Sequence, residues 1–119
     1  MSTARPLHLH IDGRPSGCHI RPALRWWSRA IGLLATPQLD DPCGLWIAPC
    51  NSVHTLGMRY PIDVVFLRRD GTVARIVHRL VPWRAAACRQ AHATLELRAG
   101  LAERLNLAPG DRLALGAQA

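Results

Sequence analysis

The sequence predicts an α+β, mainly β fold: one small β-barrel or half-barrel with two short flanking helices, spanning residues 1–119 as a single domain. Three observations carry that expectation. Short apolar stretches alternate with period two, the pattern of strands with one face in a core. Turn-forming pairs such as Asp12-Gly13 and Asp70-Gly71 punctuate them. Helical periodicity is confined to residues 22–34 and 100–107. With 49% hydrophobic and 19% charged residues the chain is no disordered tail. No apolar run reaches the ~20 residues that span a bilayer.

In chain order, Leu7-His8-Leu9-His10-Ile11 is a strand with both histidines on one face, and Asp12-Gly13-Arg14-Pro15 turns the chain. From Pro22 to Leu34 the apolar residues, including Trp26 and Trp27, fill one helical arc, and Arg21, Arg25 and Arg29 fill the other. Pro22 suits a first helical turn, and Thr36-Pro37 ends the helix. Asp40-Asp41-Pro42 is a turn and Gly44 to Ala48 a short buried strand. Residues 63–68 and 72–77 form a hairpin around Arg69-Asp70-Gly71. Val81-Pro82-Trp83 ends its second strand, and 84–93 is an alanine-rich connection. Thr94 to Arg98 alternates with Leu95 and Leu97 inward; Gly100 to Leu107 reads as a short helix; Ala108-Pro109-Gly110-Asp111 fits a type II turn; Arg112 to Leu115 is the closing strand.

All fifteen basic residues are arginine, and six Asp with two Glu leave a net charge of +7. Such a charge attracts polyanions, yet the arginines are scattered from Arg5 to Arg112 without an aromatic interleave, so nucleic acid is not the favoured partner. Cys18, Cys43, Cys50 and Cys88 read as small buried hydrophobes. Cys43-x6-Cys50-x3-His54 lacks the close thiolate pair of a zinc knuckle, so neither a metal nor another cofactor is expected. The N-terminus lacks the apolar stretch of a secretory signal, so a cytoplasmic location without membrane insertion is expected.

His54-Thr55-x-x-Met58-Arg59-x-Pro61-Ile62-Asp63-x-x-Phe66-Leu67 is followed by Asp70-Gly71-x-Val73, Pro82-Trp83, Leu95-Glu96-Leu97-x-Ala99-Gly100 and Gly110-Asp111. This ordered set, with Arg29-x-x-Gly32-Leu33-Leu34 upstream, resembles the DUF192 (UPF0127) family across about residues 25–115. The resemblance implies a compact β-rich fold and no established reaction. Many members carry an N-terminal export or tethering segment, which these residues do not show, and the family's Phe-Trp-Met-Lys-Asn-Thr stretch is replaced by His54 to Arg59.

The stretch from Cys50 to Asp63 is the densest in chemically able side chains. A binding reading has His54, Thr55 and Arg59 line a concavity walled by Met58 and Trp83, with Asp63 fixing the arginine; the partner would be a small molecule, a protein or a peptide end. A peptide adding to an open sheet edge is a related mode. Two alternatives belong to other classes: a thiol- or histidine-dependent hydrolase with Cys50 as nucleophile, His54 as base and Asp63 as orienting group, and an arginine-driven RNA binder. Against all three stands a purely structural role, in which His54 and Thr55 satisfy exposed strand or turn backbone groups, Asp63 caps a loop or pairs with Arg59, and Met58 and Tyr60 fill core.

Overall fold

A computed structural model describes residues 7–23 and 43–116. The chain starts with a hairpin of β1 (Leu7–Ile11) and β2 (Arg14–Ala23), turned by Asp12 and Gly13, both at positive φ as a two-residue hairpin loop requires. The register shifts by two residues between His8 and His10, and Gly17, at φ 84, lies in the irregular stretch of β2 that takes up the shift. β2 runs parallel to β3 (Gly44–Ile47), which pairs with β8 (Ala93–Arg98), then β5 (Ile62–Leu67), then β6 (Val73–Leu80). On the other side β1 pairs with β9 (Leu113–Gly116), giving one seven-stranded sheet in the order β6-β5-β8-β3-β2-β1-β9. A second sheet pairs β4 (Ser52–His54) with β7 (Ala85–Ala87). Gly44 is required where β3 meets β8, because a Cβ there would run into the Glu96 carbonyl.

All six residues of β5 are buried, and alternation divides them between two cores. Val65 and Leu67 join Leu9, Ile20, Leu95, Leu97 and Leu113, under the helix α1 (Leu101–Arg104) that contributes Leu101 and Ala102. Ile62, Val64 and Phe66 point the opposite way, to Val53 of β4 and to Cys50 and Cys88. A strand covered on both faces has no polar alternation to show, except at Asp63.

Parts of the expected architecture are corrected. The sheet does not close into a barrel: β6 and β9 form no ladder, and the edges meet through the bridge of Thr72 with Arg112 and the flanking bonds of Leu113 N–H to Gly71 O at 2.8 Å and Val73 N–H to Asp111 O at 2.7 Å. Of the two expected helices, the one at 100–107 is found, as α1 (Leu101–Arg104), the one helix among the described residues. Pro22 and Ala23 close β2 instead of opening a helix, and the remainder of that expected helix lies outside the described residues. Residues 84–93, expected as a connection, contain β7.

Candidate functional site

Thr55 follows β4 and is fully buried. Its hydroxyl donates to Val81 O at 2.7 Å and accepts from Arg84 N–H at 2.9 Å. Its own N–H donates to Arg84 O at 2.8 Å, and its carbonyl accepts from Trp83 N–H at 3.0 Å and Met58 N–H at 3.1 Å. One side chain thus joins two turns. The first, Thr55-Leu56-Gly57-Met58, has Gly57 at φ 82, the position where a type II turn needs positive φ. The second, Val81-Pro82-Trp83-Arg84, has proline at its second position and Trp83 at φ 67 at its third. The Thr55 hydroxyl lies in the gap that this second turn would otherwise close by its own hydrogen bond.

Trp83 therefore occupies a backbone conformation in which glycine is usual, at a cost of roughly 1–2 kcal/mol for an L-residue. It gains little packing in return: Trp83 is 65% exposed, and the neighbouring Leu56 and Val81 are 47% and 46% exposed. An aromatic held in a strained conformation and presented to water is an observation from which function is inferred. His54, opposite Ala85 in the small sheet, is half-buried, and Arg59 is exposed beyond the first turn. Met58 and Tyr60 pack against the core beneath. Burial, with the charge of nearby Glu96, raises the Tyr60 phenol above its ordinary value.

Asp63 is committed elsewhere. It is fully buried on the opposite face of β5, where Oδ1 accepts from Arg79 N–H at 2.8 Å and Oδ2 accepts from Gly100 and Ala102 N–H at 3.0 and 2.9 Å. Arg79, at φ 50, is the extra residue of a bulge in β6 facing Asp63, and Gly100, at φ 91, precedes α1. The carboxylate thus holds a bulge and the start of a helix. Arg59 makes no ion pair with it or with any other described residue. Cys50 is buried, with its thiol donating to Ser52 O at 3.1 Å and its carbonyl accepting from Thr94 Oγ1 at 3.0 Å.

Of the residues singled out in the sequence, His54, Thr55, Met58 and Trp83 are joined by the paired strands and the two turns, Arg59 lies beside them, and Asp63 faces away. Leu56, Val81 and Arg84 belong to the same surface and were missed. Pro82-Trp83 signals a turn, but nothing local shows that its partner is a threonine 26 to 29 residues earlier.

Two other clusters lie away from this surface. Burial, with a hydrogen bond to Cys43, pushes the Cys18 thiol up to about 12, so it stays protonated at neutral pH. The rings of His10 and His19 each lie 5.2 Å from that of His8, whose Nε2 accepts from Gly17 N–H at 3.3 Å. Among the described residues no three His, Cys, Asp or Glu side chains are placed to hold a metal ion.

Comparison with known proteins matches residues 7–115 to the model of the DUF192 family, described as an uncharacterized ACR. No curated protein matches. Among solved structures, a candidate transcription regulator from Sinorhizobium meliloti 1021 is 24% identical with a TM-score of 0.80, covering 97% of each chain. A protein of unknown function from Novosphingobium aromaticivorans DSM 12444 is 23% identical with a TM-score of 0.78, covering 93% of this chain and 86% of its own. Both share the fold.

Proposed function

The chain belongs to the DUF192 family, and from that premise we propose that it is a non-enzymatic binding domain whose contact surface is the pair of turns at Leu56–Arg59 and Val81–Arg84. The observation that carries this reading is Trp83, held at φ 67 by hydrogen bonds to Thr55 while 65% of its surface faces water. Interface energetics favour such a residue, since exposed tryptophans and arginines recur among the few side chains that dominate binding. Rigid presentation adds to this, because little conformational freedom remains to be lost on association. His54 and Arg59 would supply polar contacts at the margin.

Site-specific photo-crosslinking in the native cell tests the reading. A photoreactive residue at position 83 is expected to trap a partner, and one at exposed Arg112, near the sheet edges, is not. Equal labelling from the two positions, or none from position 83, overturns the proposal. An enzyme acting through Cys50 would instead show alkylation of that thiol faster than a free model thiol, which its burial and its bond to Ser52 O oppose.

A further inference from the structure

Resting on that reading, we infer that the occupant of this surface is an extended acidic peptide segment with alternating apolar side chains, which adds as a strand to the outer edge of β7. The register pairs Ser52 with Ala87, Val53 with Ala86 and His54 with Ala85. Thr55 N–H bonds Arg84 O and Cys88 N–H bonds Asn51 O, so the bonded pairs of this antiparallel ladder fall on Thr55/Arg84, Val53/Ala86 and Asn51/Cys88. Alternation then turns the backbone groups of Ala85 and Ala87 outward. Among the described residues no third strand pairs there, and no backbone group bonds those N–H groups. Arg75 Nη1, at 2.6 Å, takes the carbonyl of Ala87, which leaves the N–H groups of both alanines and the carbonyl of Ala85 to an incoming chain.

Proteins guard such edges with charged or bulky residues in the strand itself. Here the strand is three alanines, with Ala85 and Ala87 exposed, so its own side chains put neither charge nor bulk in the way, and the Arg75 guanidinium covers the edge at the Ala87 carbonyl alone. The charges stand at its two ends instead: Arg84 before it and Arg89 beyond it are exposed. Between Asp70 and Glu96 the sequence contains no acid, and between Asp41 and Asp63 there is again none. Trp83, at the start of the edge with exposed Leu56 and Val81 beside it, offers apolar contact to the same-face side chains at that end of an added strand. A single-stranded nucleic acid would meet the same arginines, but it would find one exposed aromatic flanked by aliphatic Leu56 and Val81, a poor stacking platform.

Selection of a displayed random dodecapeptide library against the full chain tests the inference. The enriched peptides are expected to carry net negative charge with alternating apolar residues. N-methylation of alternate amides in a selected peptide is expected to weaken binding about tenfold or more, as loss of interfacial backbone hydrogen bonds implies. Because that change is made in the peptide, the fold of the protein is untouched. Trp83→Ala is expected to weaken binding by a similar factor. Enriched peptides without acidic bias, insensitivity to N-methylation, or tighter binding of an oligothymidine overturns the inference. A crosslinked partner at position 83 together with any of those results overturns the inference alone; no adduct at position 83 overturns the reading beneath it.

Discussion

Asp63 and Thr55 are both buried polar side chains that knot distant backbone together, and their surroundings use that rigidity in opposite ways. Around Asp63 the apolar groups turn inward: the bulge of β6 and the start of α1 are fastened so that Leu101 and Ala102 can enter the core. Around Thr55 the apolar groups turn outward, with Leu56, Val81 and Trp83 in water. A satisfied buried polar group stiffens whatever it holds. The contrast teaches that stiffness serves packing where apolar side chains are enclosed and serves presentation where they are not.

The hardest way to break this comparison is Asp63→Ala, which leaves the Arg79, Gly100 and Ala102 N–H groups without their acceptor, the last of them buried. A loss of about 3–5 kcal/mol in urea unfolding is expected. A loss below about 1 kcal/mol would place Asp63 outside the folding machinery. Thr55→Val keeps the side-chain shape and removes the hydroxyl. It is expected to cost about 1–3 kcal/mol and to speed hydrogen exchange of the Arg84 amide, while leaving the Arg79 and Ala102 amides protected. Faster exchange at all three sites would mean that the two knots are one cooperative unit. Charge sharpens the contrast further. Arg79, beside the Asp63 knot, donates to exposed Glu103 at 2.9 Å and holds its carboxyl below the ordinary value. A group with a lowered folded value contributes stability at neutral pH and loses it as acid is added. Glu103→Gln is therefore expected to shrink the fall in melting temperature between neutral pH and about pH 3, slightly, because the pair is solvated. An unchanged slope removes that contribution. The smallest effect is expected from Trp83→Gly: no loss of stability, or a gain of up to about 1 kcal/mol, because glycine accepts the positive φ without strain. A clear destabilisation would make Trp83 a packing residue.

The hairpins and the central strand are legible because their signals are local. Asp12-Gly13 and Gly71 sit where positive φ is needed, and the run from Ile62 to Leu67 is apolar wherever it meets a core. β2 is illegible because Pro15, Gly17 and Pro22 read as breakers, whereas the strand tolerates them through a bulge and its ends. β7 is illegible because three alanines have little intrinsic preference for strand, and pairing with β4 decides their conformation. The site was half visible. Its residue types stand out between Cys50 and Asp63, but side-chain direction depends on partners far along the chain. Asp63 reads like a companion of Arg59 until its acceptors are found bonded to amides 16, 37 and 39 residues away.

The pairing of β1 with β9 has a consequence for biosynthesis. Asp12 Oδ1 accepts from Arg112 N–H across a separation of 100 residues, and Leu9 stands opposite Leu115. While the ribosome is still elongating the chain, the first strand has no neighbour on that side, and its free margin is exposed to other nascent polypeptides. Long-range closure of this kind also slows folding relative to locally wired domains. The residues of β1 thus wait for β9, translated about 100 residues later, before their pairing is complete.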